Sequence, residues 1–216
     1  QTINKNISNK VFYNQDYNHS SNENNFFYYK DRFGGIKLPC PNINGKFQLE
    51  NISTAIAALR FIEELNINED QIKTGITKIK SIARLQEITK GKLKDLVKNN
   101  RLIVDGSHNP LGAKVLNEFL DSLNCDKHII LGMMANKKHK EYISHFKNIS
   151  SLTTISIPNQ PSSMKGNELK DKLNNFKNIC YKENIVEAIN SIPVKNNDII
   201  LITGSLYLAG EVLNLN

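Results

Sequence analysis

Leu102-Ile103-Val104-Asp105-Gly106-Ser107-His108-Asn109-Pro110 indicates a buried strand, a sharp turn and the start of a helix. Asn109 is a favourable helix N-cap, and Pro110 suits the first helical position. A turn needs only its Gly, Asn and Pro residues, yet this one also carries Asp105, Ser107 and His108. Ligands bind at the carboxyl ends of strands in open α/β sheets, and helix N-termini favour anions. The stretch therefore predicts a ligand site, and a purely structural turn is the alternative.

Strand and helix patterns alternate in the second part of the chain. The hydrophobic pattern predicts strands at 85–89, 101–105, 128–132, 152–157, 178–181 and 198–203. It predicts helices at 110–123, 138–147, 167–175, 184–192 and 205–213, and a connection at 90–100. This alternation is typical of an α/β fold whose mostly parallel sheet carries helices on both faces.

The first 80 residues follow a different pattern. Residues 4–25 are rich in Asn and Ser, which predicts loop, or strands whose neighbours are missing. The segment 26–38 predicts a hairpin around Asp31-Arg32-Phe33-Gly34, and helical spacing of apolar residues predicts helices at 49–65 and 69–79. We therefore expect a domain boundary near residue 80, between domains at 1–80 and 81–216.

Charge and cysteine content exclude several classes of protein. The 28 Lys and Arg residues exceed the 21 Asp and Glu residues, for a net charge of +7, but no aromatic residues interleave with the basic clusters. A stacking platform for nucleic acid is therefore not expected. The three cysteines are far apart and form no C-x-x-C, which favours a reducing, cytoplasmic compartment over a disulfide framework or a zinc site. The sequence also has no apolar run long enough for a membrane span.

Standard nucleotide-binding and metal motifs are missing from the sequence. It contains no G-x-x-x-x-G-K-[ST], no G-x-G-x-x-G and no H-E-x-x-H. A self-sufficient nucleotide hydrolase or dehydrogenase is therefore not expected. The chain begins with Gln1 rather than Met, and we expect it to be the later part of a longer protein.

Three further segments carry candidate site residues. Gln48 and Asn51 stand three residues apart at the start of a helix, where their amides could bind an adenine or a ribose, or simply cap the helix. Arg84 precedes a strand at the domain boundary, where it could bind phosphate or form a surface ion pair. Ser205 follows a strand in Thr203-Gly204-Ser205, where small residues allow either a ligand or a tight connection.

The order and spacing of these segments resemble the folylpolyglutamate synthase / dihydrofolate synthase family of Mur-type ligases. The family motif Asp-x-x-His-Asn-Pro is matched by Asp105, His108, Asn109 and Pro110, and its last strand and helix by Gly204 to Leu208 and Gly210 to Val212. Gly45, Gln48, Asn51, Arg84, Leu85, Gln86 and Gly132-Met133-Met134 match further segments. The sequence departs from the family at Phe47, where His is common, at Ala83, where Gly is common, and at Lys138, where an acid is common.

The resemblance implies a fold and an activity. It implies a C-terminal Rossmann-like domain at 81–216, preceded at 1–80 by the tail of a central ATPase domain, consisting of a hairpin and a helical pair. The phosphate loop and the Mg²⁺ ligands of the family would lie in a missing N-terminal half. The implied reaction is ATP-dependent amide-bond formation between L-glutamate and dihydropteroate or a folate, and this chain alone would be inactive.

The resemblance also implies roles for individual residues. Gln48 and Asn51 would hold the adenine side of ATP, Arg84 would act on the phosphates in catalysis, and Asp105 would bind the ribose. His108 would contact phosphate or the incoming glutamate in catalysis, and Ser205 would lie on the glutamate side. The expected partners are small molecules, with ATP and Mg²⁺ as cofactors, no nucleic acid or membrane, and a monomeric state. The alternative is a stand-alone nucleotide- or nucleic-acid-binding α/β module without catalysis, which the missing phosphate loop and the net charge favour.

Overall fold

A computed structural model describes residues 10–21, 25–41, 47–62 and 64–216. The chain divides into two compact units, Gln1–Lys80 and Ser81–Asn216. Within the described ranges, no helix combines the length and the hydropathy that crossing a bilayer requires.

The first unit contains an antiparallel sheet and two helices. Its strands are β1 (Tyr17–Ser21), β2 (Phe26–Asp31) and β3 (Gly34–Pro39), in the order β1-β2-β3. The helices are α1 (Phe47–Phe61) and α2 (Glu69–Thr77). The predicted hairpin is present as β2 and β3, and part of the Asn-rich segment pairs with it as β1. Residues 4–9 and 22–24 of that segment lie outside the described residues.

The core of the first unit follows from the period of its strands and helices. Alternate residues of β2 point inward, and Phe27 and Tyr29 are fully buried against Ile52, Ile56 and other apolar residues of the two helices. The inward position after Tyr29 is Asp31, whose buried carboxylate accepts two hydrogen bonds from the Arg60 guanidinium, at 2.7 and 3.1 Å. This two-pronged ion pair lets a charged residue occupy a buried strand position.

The second unit is built on a six-stranded sheet. Its strands are β4 (Gln86–Ile88), β5 (Arg101–Val104), β6 (Lys127–Leu131), β7 (Ser151–Thr154), β8 (Ile179–Tyr181) and β9 (Ile199–Thr203). Their order is β4-β5-β9-β6-β7-β8, and every pair is parallel except β4 with β5. The predicted α/β fold with a mostly parallel sheet is thus confirmed. The central strands β6 and β9 are buried along their whole length, as expected where helices cover both faces.

Helices cover the two faces of this sheet in two groups. They are α3 (Lys92–Val97), α4 (Pro110–Asp121), α5 (His139–Ser144), α6 (Gly166–Lys172), α7 (Ile185–Asn190) and α8 (Leu206–Leu215). The helices α4, α5 and α6 contact one another in succession, whereas α3 contacts α7 and α8. Parallel strands connect through right-handed crossovers, so the run β5-β6-β7-β8 places its helices on one face, and the return to β9 places α7 on the other.

The predicted connection at 90–100 is wrong, because it contains the helix α3. Leu93 and Val97, four residues apart, are both buried in the core of the second unit. The side chain of Asn216 accepts hydrogen bonds from the backbone N–H groups of Leu93 and Lys94, at 3.2 and 3.4 Å. The helix therefore takes its N-terminal cap from a residue more than 120 positions away, which local sequence signals cannot reveal.

Candidate functional site at the carboxyl edge of the sheet

Three turns of the second unit meet at the carboxyl ends of β5, β9 and β6. Gly106 N donates to the carbonyl of Ala83 over 2.8 Å, and Gly204 N donates to that of Ser107 over 3.1 Å. A third bond, from Gly132 N to the carbonyl of Thr203, measures 3.2 Å. The chain leaves β5 toward α4 on one face and leaves β9 toward α8 on the other. In open α/β sheets this reversal opens a crevice at the strand ends, which is the usual ligand position.

The Asp105 carboxylate lies inside this edge. Asp105 is 1% exposed, and its Oδ2 accepts a hydrogen bond of 2.8 Å from the backbone N–H of Leu85. Its Oδ1 accepts a second bond, of 2.7 Å, from the backbone N–H of Ser107. Both oxygens thus already bind the protein backbone, and the ribose contact that the sequence predicts for Asp105 stays a prediction.

Arg84 stands in a backbone segment of unusual geometry. The residues on either side, Ala83 and Leu85, have φ angles of +54° and +45°, in the left-handed region that side chains disfavour. Their side chains are buried, whereas Arg84 is half-buried. Within the part of the chain that the structure describes, the Arg84 guanidinium has no hydrogen bond or ion pair. Such a cation retains all five of its N–H donors for an anionic ligand.

His108 lies at the rim of the same edge. Its Nδ1 is 3.2 Å from the carbonyl oxygen of Gly106, and since a carbonyl can only accept, Nδ1 carries the proton. No hydrogen bond to Nε2 is found among the described residues, so this nitrogen can meet a ligand. The next residues start α4 as predicted, with Asn109 accepting a hydrogen bond from Gly112 N over 2.8 Å and Pro110 in the first turn.

Ser205 is buried at the N-terminus of α8. Its Oγ accepts a hydrogen bond of 3.1 Å from the backbone N–H of Tyr207, so it serves as the helix N-cap. The preceding Gly204 has a φ of +109°, and a Cβ there would lie 2.6 Å from the carbonyl oxygen of Gly132. Glycine is therefore required at 204, whereas the glutamate-side role of Ser205 stays a prediction, since its hydroxyl is engaged in the cap.

Gln48 and Asn51 belong to the first unit, on the first turns of α1. Gln48 is buried and Asn51 is exposed, and the Asn51 amide donates to Oε1 of Gln48 over 3.2 Å. The two amides are thus neighbours, as their spacing predicts. The matched glycine Gly45 lies outside the described residues. The other four predicted residues, at 84, 105, 108 and 205, share the carboxyl edge of the second unit.

Two residues beneath this edge were not predicted. The hydroxyl of Tyr142, fully buried on α5, is 2.8 Å from Oγ1 of Thr203, and burial raises the Tyr142 pKa well above its ordinary value. His139, also buried, hydrogen-bonds the carbonyl of Met134 through Nε2, at 3.0 Å. Its Nδ1 is the one buried side-chain polar atom without a partner among the residues that the structure describes. Burial, assisted by Lys172, lowers the pKa of His139.

The carboxyl edge does not offer a metal site. Among the described residues, no group of three or more His, Cys, Asp and Glu side chains could hold a metal ion. Mg²⁺ prefers several oxygen ligands, and the one carboxylate at this edge, Asp105, is occupied by backbone N–H groups. The residues at this edge therefore do not fit a magnesium ion, and the expectation that its ligands lie in a missing N-terminal half stays a prediction.

Comparison with known proteins identifies similar chains. A curated relative, the dihydrofolate synthase/folylpolyglutamate synthase of Bacillus subtilis (strain 168), is 22% identical over 175 residues, which cover 78% of this chain and 39% of the relative. The crystal structure of folylpolyglutamate synthase from Thermotoga maritima is 25% identical, with a TM-score of 0.71 over 94% of this chain and 47% of that one. E. coli FolC in complex with DHPP and ADP has a TM-score of 0.74 at 22% identity, over 94% and 46%.

These matches cover 78% to 94% of this chain but less than half of each relative, so the chain spans 39% to 47% of the length of the proteins it resembles. A family model described as "Mur ligase, glutamate ligase domain" matches residues 68–206, which contain Arg84, Asp105, His108 and Ser205. The chain therefore belongs to the Mur ligase family, as a glutamate ligase domain.

Proposed function

We propose that this chain is the C-terminal part of an ATP-dependent ligase that joins L-glutamate to dihydropteroate or a folate through an amide bond. In this reaction ATP phosphorylates a carboxylate, the amine of L-glutamate attacks the acyl phosphate, and ADP and phosphate leave. The observation that carries the proposal is Arg84, a cation without a partner among the described residues, beside the Asp105–Pro110 turn. Two findings support the proposal. One is the family match, and the other is that solved structures of relatives contain either DHPP and ADP, or Mn, AMPPNP and L-glutamate.

The side chains of the carboxyl edge suit this chemistry. Acyl phosphate formation moves negative charge onto the transferring phosphoryl oxygens, and a guanidinium with a fixed fork of donors stabilises such oxygens. Arg84 would bind the phosphates in this role, and the free Nε2 of His108 would bind phosphate or the incoming glutamate. Gln48 and Asn51 would hold the adenine side of ATP, and the ribose role of Asp105 and the glutamate-side role of Ser205 belong to the same proposal. Magnesium, which would neutralise the phosphate charge, needs ligands outside the described residues.

The domain assignment belongs to the same proposal. Residues 1–80 would be the end of a central ATP-binding domain, and residues 81–216 a complete C-terminal ligase domain. The division of the chain into compact units at Lys80 and Ser81 supports this assignment. We further propose that the protein acts as a cytoplasmic monomer on small-molecule substrates, without nucleic acid or membrane partners.

A ligation assay tests the proposal. The full-length protein that carries this chain is incubated with ATP, Mg²⁺, L-glutamate and either dihydropteroate or a reduced folate, and ADP and the ligated product are measured. We expect ADP to form only when both co-substrates are present, and the 216-residue chain alone to form no product. Failure of the full-length protein to form product with either acceptor would contradict the proposal. In that case ATP binding without catalysis would favour a stand-alone nucleotide-binding module.

A further inference from the structure

The backbone around Arg84 is strained and held in place from outside. The left-handed φ at Ala83 and at Leu85 is unfavourable for a residue with a side chain, because Cβ then lies too close to the following carbonyl oxygen. Such conformations persist only where the surrounding structure enforces them, and they concentrate at functional sites. Because both neighbours of the half-buried Arg84 are strained, contacts from the surrounding structure must hold this segment in its conformation.

Three hydrogen bonds supply these contacts. Ala83 donates its N–H to Oε1 of Gln86 and accepts from Gly106 N through its carbonyl, both at 2.8 Å. Leu85 donates its N–H to Oδ2 of Asp105, also at 2.8 Å. Asp105 is the one charged group among these partners, and a carboxylate makes a stronger bond than a neutral acceptor does. Of these three hydrogen bonds, the one to the Asp105 carboxylate is thus the strongest.

The same carboxylate also fixes the turn that carries His108. Its other oxygen, Oδ1, accepts from Ser107 N over 2.7 Å, one residue before His108. A single buried side chain therefore links the backbone after Arg84 to the backbone before His108. An asparagine could not replace it, because an Asn side chain has one acceptor oxygen, and its NH₂ group would face a backbone N–H.

We propose that Asp105 is a positioning residue, whose carboxylate holds the backbone beside Arg84 so that the guanidinium is preorganised for phosphate. This inference rests on the proposed function, since it needs Arg84 to bind the phosphates of ATP. Asp105 then acts on phosphate binding through Arg84, separately from the ribose contact of the proposed function. A preorganised arginine avoids the cost of ordering its loop at the moment of binding, so loss of the restraint weakens phosphate binding.

A double-mutant cycle tests the inference in the full-length protein. The variants are Asp105→Asn, Arg84→Ala and the double variant, and the probes are ATP and adenosine, whose affinities are measured by calorimetry. We expect Asp105→Asn to weaken ATP binding about tenfold more than it weakens adenosine binding, a difference that corresponds to about one charged hydrogen bond. In the Arg84→Ala background, Asp105→Asn should weaken ATP and adenosine equally, because the guanidinium that the carboxylate positions is absent.

Asp198→Asn is the matched control. Like Asp105, Asp198 is buried and accepts a hydrogen bond from a backbone N–H, that of Lys195, at 2.6 Å. It differs in position, because it lies just before β9, at the opposite edge of the sheet. The substitution should lower the melting temperature without changing ATP affinity. In parallel, hydrogen exchange of the Leu85 amide should accelerate in Asp105→Asn and not in Asp198→Asn.

Each other outcome overturns the inference in a recognisable way. Equal losses of ATP and adenosine affinity in Asp105→Asn would limit Asp105 to the ribose contact. Unchanged ATP affinity in Asp105→Asn would show that the carboxylate stabilises the fold but does not affect phosphate binding. If the wild-type protein binds no ATP, the proposed function fails, and the inference fails with it.

Discussion

Leu85 donates its backbone N–H to Oδ2 of Asp105 over 2.8 Å, although the two residues are 20 positions apart and Leu85 has a φ of +45°. This bond joins a strained segment to the turn after β5. The Asp of the motif Asp-x-x-His-Asn-Pro therefore makes structural hydrogen bonds, and their contribution to stability can be measured on the protein without any ligand.

Asp105→Ala should lower the free energy of unfolding of the second unit by about 2–4 kcal/mol. The substitution leaves the N–H groups of Leu85 and Ser107 without their acceptor, and an unpaired buried donor costs roughly 1–3 kcal/mol. Urea denaturation of the 216-residue chain measures the change. The control is Asp171→Ala, at an exposed position of α6, which should stay within about 0.5 kcal/mol of wild type. Equal effects of the two substitutions would contradict the role of the carboxylate.

Ala83→Gly should leave the free energy of unfolding within about 1 kcal/mol of wild type. Removal of a buried methyl group costs about 0.8 kcal/mol, but glycine relieves a strain of roughly 1–2 kcal/mol at the φ of +54°. Ala113→Gly is the matched control, because Ala113 is equally buried but lies within α4. It should cost about 1.5–2 kcal/mol, from the lost methyl and the poor helix propensity of glycine. A larger loss at 83 than at 113 would mean that Ala83 is not strained.

Under the proposed function, Arg84→Lys should reduce turnover of the full-length protein at least about tenfold, with the KM for the proposed folate substrate changed less than twofold. Lysine keeps the charge but loses the two-pronged geometry that stabilises a transferring phosphoryl group. Steady-state kinetics with ATP and folate varied separately measure both constants. Arg101→Lys is the control, because the Arg101 guanidinium already pairs with Glu87 at 2.8 and 3.1 Å. Wild-type turnover in Arg84→Lys would show that the guanidinium of Arg84 is not required for the reaction.

The stability of the second unit should fall as the pH drops below about 6.5, the ordinary pKa of histidine. Burial lowers the pKa of His139 in the folded protein, so the unfolded chain takes up the proton at a higher pH than the folded chain does. Neutral His139 thus contributes stability that is complete above that pH and is lost as the pH falls through the folded pKa. Protonation would also leave a buried Nδ1–H without a partner among the described residues.

Denaturation between pH 7.5 and pH 5 checks this dependence. His139→Gln should flatten the acid side of the stability profile, whereas His145→Gln, at the C-cap of the same helix, should leave it in place. A profile in His139→Gln with the same acid slope as wild type would assign the dependence to another group.

The sequence predicts the elements of the second unit well, because each depends on neighbouring residues. The run Leu102-Ile103-Val104 is apolar enough to be buried on both faces, and the cap and first turn of α4 follow from Asn109 and Pro110. The order of the strands could not be predicted, since β5, β6 and β9 are apolar runs of the same kind. Their arrangement depends on packing between residues about 100 positions apart.

The sequence predicted the place of the turn after β5, but not the contacts around it. Asp105 and His108 follow the carboxyl end of β5, and Arg84 lies at the same edge because β4, which follows it, runs antiparallel to β5. The partners of Asp105 could not be predicted, because alanine and leucine do not by themselves favour a positive φ. The departure from the family at Ala83, where glycine is common, was the one available sign, since glycine is the usual residue for that conformation.

The position of β9 has a consequence for how the protein is made. Because β9 pairs with both β5 and β6, no described strand pair joins β4-β5 to β6-β7-β8 before Ile199–Thr203 is in place. During synthesis the growing chain therefore exposes two apolar strand edges until these residues have left the ribosome, and such edges attract chaperones and other chains. A premature stop codon before residue 199 would thus abolish the second unit as a whole, with rapid degradation of the product, rather than shorten the sheet by one strand.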